Sequence, residues 1–246
     1  MPPAAEPERP APRFLDAGEA ALVVEFGSTV DPAINDRVLA LDTALRNDPP
    51  RGLTESVPTY RSLMIHYDPL VLARGQLVGF VEETLAQDGA ARAPGRTWIL
   101  PCCYDPEFAE DIAEVAGIAG LAAERMAELH RTAEYRVYMY GFAPGFAYLG
   151  GLPAELAVSR RASPRAPHPQ GALLIGGGLA AVGTFPMPTG WYVVARTPER
   201  LFFETRDPNF LIEGGDNLRF EAIDAATFVD LDRRAASGEV IARATG

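Results

Sequence analysis

The run Tyr140-Gly-Phe-Ala-Pro-Gly-Phe-Ala-Tyr-Leu-Gly-Gly-Leu-Pro153 constrains this chain more than any other stretch. Proline fixes φ and removes a donor, while glycine lets the backbone turn sharply or approach a neighbour closely. A helix is excluded there, and a regular strand is not expected. The chain must build a rigid aromatic loop at this point and place its regular elements on either side. Arg160, Arg161 and Arg165 follow closely behind it. They supply fixed positive charge in a protein whose net charge is −11 and whose pI is about 4.8. Guanidinium groups bind carboxylate or phosphate bidentately. Loop and arginines together are a candidate site for a small anionic ligand, with surface pairing to Asp or Glu as the alternative.

The flanking sequence divides into two patterns. From Phe14 to Pro101, strand-like and helix-like segments alternate. Ala21–Phe26 reads as a strand, and Asp31-Pro32 opens a helix whose Ile34, Val38, Leu41 and Leu45 recur at helical spacing. Thr54–Val57 and Tyr60–Tyr67 read as two strands, with Leu63, Ile65 and Tyr67 sharing one face. Asp68-Pro69 opens a second helix bearing Leu70, Leu77, Val81 and Leu85, and Thr97–Leu100 is a further strand. The order β-α-β-β-α-β predicts a ferredoxin-like α/β domain over 14–101. A helical connection over 102–134 carries Phe108, Ile112, Val115, Met126 and Leu129. Over 135–246, short strands at Tyr135–Tyr140, Ala172–Ile175, Trp191–Thr197 and Leu218–Ala222 are punctuated by Gly and Pro, which suggests a barrel or sandwich. A helix at Ala225–Ala236 and a terminal strand at Glu239–Ala242 follow. Residues 1–13, rich in Pro and Ala without an apolar core, read as a disordered lead-in rather than a signal peptide. The class is soluble α+β, placed in the cytoplasm.

Much chemistry is excluded. The acidic balance argues against nucleic acid and anionic membranes as partners. All 22 basic residues are arginine, so a P-loop lysine and a Schiff-base lysine are ruled out. Cys102 and Cys103 are adjacent, which suits buried thiols at a strand end. His66, His130 and His168 are scattered, and no metal ligand set is expected. His130 falls at the last turn of a helix, where it serves as a C-terminal partner of the dipole or as a catalytic base. Gly176-Gly177-Gly178 makes either an anion nest or a tight barrel turn. Phe142 and Phe146 line a pocket or anchor the loop on the core, and Tyr148 adds a phenolic donor.

These motifs carry a resemblance. Gly141-Phe-Ala-Pro-Gly-Phe-Ala-Tyr-Leu-Gly150, Arg160-Arg-Ala-Ser-Pro-Arg165, Gly190-Trp191 and Arg196-Thr-Pro198 look like the signature of the 5-oxoprolinase B-subunit family. That family includes allophanate hydrolase subunit 1 and the Kip-type inhibitor of a sporulation histidine kinase. The likeness extends to Leu100-Pro-Cys-Cys-Tyr104, His130 and Glu213-Gly-Gly-Asp216. It implies a cyclophilin-like barrel in the second half. It also implies C and A components of a heteromer as partners, which together open 5-oxoproline to glutamate, with ATP used at the level of the complex. By their own chemistry His130, Tyr148 and Arg161 are the catalytic candidates. Phe142, Gly145, Phe146, Arg160, Arg165, Gly177 and Trp191 are the candidates for holding a small carboxylate substrate. Taken as a solvent-accessible guanidinium, Arg161 is expected to be dispensable for the fold.

One segment departs from the family pattern. Where family members carry Gln-Thr-Gly-Ile-Tyr-Pro, this chain has Leu179-Ala-Ala-Val-Gly-Thr184. Donors and acceptors suited to a polar substrate are lost at Leu179 and Ala180. A regulatory protein that binds a histidine kinase needs no such groups, so allophanate hydrolysis and kinase inhibition stay open beside the oxoprolinase reading.

Overall fold

The computed structural model describes residues 11–87 and 95–245, which form two compact units divided near 93/94. Most of the expected lead-in, and residues 88–94, lie outside the described residues.

In the first unit, β1 (Arg13–Asp16), β2 (Ala21–Glu25), α1 (Pro32–Asn47), β3 (Leu53–Pro58), β4 (Ser62–Tyr67) and α2 (Arg74–Ala86) follow in order. Their sheet runs β1-β2-β4-β3 and every pairing is antiparallel. Asp31 caps α1 by accepting from the N–H groups of Ala33 and Ile34, and Pro32 takes the first helical position, where no donor is missed. The predicted stripe of α1 is buried at Val38, Leu41 and Leu45 against Leu63 and Ile65 of β4. Leu77 and Val81 of α2 join the same layer.

Two sequence expectations fail in this unit. α2 begins at Arg74 instead of Asp68, because the Asp68 carboxylate accepts the Leu70 N–H in a turn, leaving Leu70 95% exposed. Thr97–Leu100 does not close the sheet. The edge beside β2 is filled by β1, a short and mostly exposed strand whose Arg-Phe-Leu-Asp pattern is a weak signal.

The second unit is built on β5 (Thr97–Cys103), α3 (Ile112–Ala119), α4 (Ala123–Thr132), β6 (Tyr135–Tyr140), β7 (Ala147–Gly150), β8 (Arg165–His168), β9 (Ala172–Gly176), β10 (Leu179–Val182), β11 (Met187–Thr189), β12 (Tyr192–Arg196), β13 (Asn217–Ile223), α5 (Ala225–Ala235) and β14 (Arg243–Thr245). The main sheet runs β12-β9-β10-β7-β6-β13-β5, and Arg196 of β12 pairs back to Cys103 of β5, closing a barrel. β14 adds to β5, and β8 with β11 makes a separate ribbon. The strand expected in the first domain is therefore β5, which runs parallel to β13. It is buried almost throughout from Trp98, as a barrel strand covered on both faces must be. The domain boundary accordingly precedes residue 97, and the terminal strand lies at 243–245 instead of 239–242.

Alternation along the strands sorts their side chains into two clusters. Leu173, Ile175, Ala180, Val182, Tyr192 and Val194 join the large core with Ile112, Val115 and Met126 of the helices. Ala172, Leu174, Ala181 and Val193, from the opposite faces, join Phe146 and Trp191. The Tyr140–Pro153 run thus contains a strand after all. β7 pairs with β6 and β10, sending Ala147 and Leu149 one way and Phe146 and Tyr148 the other. Tertiary pairing overrides the local reluctance of a Gly-rich segment.

Buried carboxylates organise the ends of this unit. Asp216, only 3% exposed, accepts from the Arg96 N–H at 2.9 Å, the Trp98 indole at 3.0 Å and the Glu213 N–H at 3.0 Å. Leaving buried donors unmet is costly, so Asp216→Ala is expected to lose about 2–4 kcal/mol of unfolding free energy. A urea titration showing the wild-type midpoint would contradict this role.

Candidate functional site

The connection from β6 to β7 is held by its own backbone. Gly141 donates to Phe146 O, Phe146 to Ala143 O, and Ala143 to Gly141 O, while the Thr184 hydroxyl donates to Pro144 O at 2.7 Å. Gly145 has φ +71°, and a Cβ there would stand 2.6 Å from Cβ of Phe202 and 3.1 Å from Cγ2 of Thr184. Glycine is required at this position on both counts. Phe142 also has φ +71°, with a bulky side chain and 71% exposure. An exposed aromatic in a strained conformation is neither core packing nor a relaxed turn.

A row of rings continues from it. Phe142 meets Phe146 at 5.7 Å between centroids, Phe146 meets Tyr148 at 5.0 Å, and Tyr148 meets Trp191 at 6.2 Å. The Arg160 guanidinium lies 5.2 Å from the centre of the Trp191 ring. Burial pushes the Tyr148 phenol up, and the Arg160 charge draws it part of the way back. The loop, β7, the segment before β8 and the residue preceding β12 thus bring Phe142, Gly145, Phe146, Tyr148, Arg160 and Trp191 to one face. Leu179 packs against the same cluster, whereas Ala180 points into the large core. Of the two departures from the family pattern, only Leu179 therefore alters this face.

The glycine triplet resolves as a turn. Gly177 and Gly178, at φ +63° and +77°, join β9 to β10 as a two-residue hairpin. Gly177 donates its N–H to Val158 O, so that donor is not offered to an anion.

Arg161 and Arg165 stand beside the face, but their charges are met. Arg161 Nη2 donates to Asp111 Oδ1 at 2.8 Å and to Glu114 Oε2 at 2.5 Å, and its guanidinium lies over the Tyr192 ring. Arg165 donates to Asp111 Oδ2 at 2.5 Å and to Glu110. The same Asp111 Oδ2 accepts the Val193 N–H at 2.7 Å. Burial alone would lower both guanidinium pKa values, but the surrounding carboxylates raise them. The expectation that Arg161 is a free, fold-neutral guanidinium is corrected: it is a partner of a buried aspartate. Asp111 was not singled out in the sequence, where no local signal marks it as the partner of two distant arginines.

His130 lies apart. It is 1% exposed on α4, with Nδ1 2.8 Å from the Tyr104 hydroxyl and its ring stacked on Phe220 at 5.1 Å. Tyr135 donates its hydroxyl proton to His130 O. The structure favours its structural role over contact with a substrate. Among the described residues no three His, Cys, Asp or Glu side chains gather as a metal site, and no helix is long and apolar enough to cross a membrane.

The model of the carboxyltransferase domain, subdomain C and D, matches residues 12–212. The chain belongs to that family. It is 33% identical to the 5-oxoprolinase B subunit of Bacillus subtilis (strain 168) over 217 residues, covering 84% of this chain and 90% of the relative. It is 33% identical to the 5-oxoprolinase B subunit of Escherichia coli O157:H7 over 204 residues, covering 82% and 92%. Among solved structures it is similar to TTHA0988, with a TM-score of 0.75 and 33% identity over 83% of this chain. It spans 40% of the length of that longer chain. The α+β architecture with a closed barrel is that of the carboxyltransferase C and D subdomains.

Two outcomes follow from this geometry. Burial lowers the His130 pKa from 6.5 to about 3, so the unfolded chain takes up a proton that the folded chain refuses. This contribution to stability is complete above about pH 6.5 and is lost as pH falls toward 3, by about 2 kcal/mol between pH 6.5 and 5. Urea titrations at those two pH values should show that part of the difference disappear in His130→Gln. Phe142→Gly removes about 1 kcal/mol of left-handed strain and little burial, so the variant should be at least as stable as wild type by thermal denaturation. A clearly lower midpoint would show that the exposed ring is needed for packing.

Proposed function

We propose that the chain is the B component of a heteromeric 5-oxoprolinase, acting with A and C components to open 5-oxoproline to glutamate at the expense of ATP. The observation that carries this reading is the match to relatives named as 5-oxoprolinase B subunits across nine-tenths of their length. The geometry supports it. The face formed by Phe142, Phe146, Tyr148, Trp191 and Arg160 is rigid, aromatic and locally cationic in an otherwise acidic chain. A face with Phe142 and Arg160 exposed over buried Phe146 and Trp191 suits a protein that supplies one side of a shared substrate site. ATP is assigned to a companion component, because this chain has no lysine and no phosphate-binding motif.

A second reading, inhibition of a sensor histidine kinase, is favoured by one observation: the apolar Leu179 stands on this face. Reconstitution separates the two. Mixing the purified chain with its companion A and C components should release ADP and glutamate from 5-oxoproline. Release no greater than that of A and C alone would overturn the oxoprolinase reading. Suppressed autophosphorylation of a co-purified kinase would then support the second.

A further inference from the structure

We propose that Arg160, alone of the three clustered arginines, selects ligands for a carboxylate, because Asp111 has already taken the other two. The inference rests on the oxoprolinase reading for the identity of its substrate, a small flat amide bearing a carboxylate. Arg161 and Arg165 share Asp111, and each has a further carboxylate in Glu114 or Glu110. Two guanidinium groups therefore face three carboxylates, for a local sum of −1. A carboxylate arriving there would have to displace a partner and would meet net repulsion.

Arg160 differs in its charge partners. It is exposed, and none of the described ion pairs includes it. Its guanidinium carbon lies over the Trp191 ring, 5.2 Å from the centroid, and its Nε stands 3.6 Å from where a Cβ on Gly177 would be. A cation–π contact spends none of the guanidinium N–H donors, and those donors match a carboxylate bidentately. The hairpin glycine keeps the space beside that side chain open. The Tyr148 ring borders the same spot, packed edge-on to Trp191, and its phenol responds to the Arg160 charge. A lactam ring lying against the partly exposed Tyr148 would turn its carboxylate toward Arg160.

The test uses the full chain alone, with ligand-observed NMR affinities for 5-oxoproline and for 2-pyrrolidinone, which lacks only the carboxylate. Wild type should prefer 5-oxoproline by about tenfold or more, the worth of one charge-assisted hydrogen-bonded pair. Arg160→Gln should abolish that preference while leaving the pyrrolidinone affinity and the thermal midpoint unchanged. Arg161→Gln and Arg165→Gln should lower the midpoint and retain the preference. Equal binding of the two probes by wild type, or full preference in Arg160→Gln, would overturn the proposal. So would loss of preference in Arg161→Gln at an unchanged midpoint. The two readings fail separately. Binding through Arg160 without glutamate release from the complex removes only the oxoprolinase reading. Turnover whose KM for 5-oxoproline is unmoved by Arg160→Gln removes only this inference.

Discussion

Asp111 joins parts of the chain that lie fifty or more residues apart in sequence. Its carboxylate accepts from Arg161, from Arg165 and from the Val193 N–H, and its own N–H donates to Val193 O. The start of α3, the strand β12 and the segment leading into β8 are thereby fixed to one another. A largely buried ion pair contributes little net stability, because desolvation offsets most of the Coulomb attraction. What it supplies is a single arrangement. Any other packing of the 160–165 segment would leave a buried carboxylate or guanidinium without its partner.

That arrangement decides which features of the focal stretch face outward. With Arg161 and Arg165 turned onto carboxylates, Arg160 is left over Trp191, and the aromatic row from Phe142 leads to it. The loop itself is kept stiff by backbone hydrogen bonds and by the close approach of Gly145 to Phe202. A preorganised face loses little conformational entropy when a ligand or another protein arrives. Strain at Phe142 is consistent with a surface shaped for contact rather than for stability alone.

The legible parts of the fold were those with strong local signals. α1 was readable because Asp31-Pro32 and the spacing of Val38, Leu41 and Leu45 agree, and β4 because Leu63, Ile65 and Tyr67 alternate. β1, β7, β8, β10 and β11 were not readable, since each has at most four residues and is made by its neighbours. α2 was misplaced because an Asx turn at Asp68 imitates a helix start. At the candidate site, the loop and arginines were visible as composition, but the partners of those arginines were not. Nothing local distinguishes Arg160 from Arg161.

The sequence by itself determined that the chain is acidic, lysine-free and α+β, and that its aromatic glycine-proline run belongs to a recognisable family. These are properties of composition and of short-range backbone preference, which need no knowledge of distant contacts. Only the tertiary structure decided that β5 belongs to the barrel, that His130 is a core histidine, and that two of three neighbouring arginines are neutralised. The physical reason is common to all three. Strand pairing, burial and charge compensation are set by residues remote in sequence, and a chain read locally does not show which group will be its neighbour.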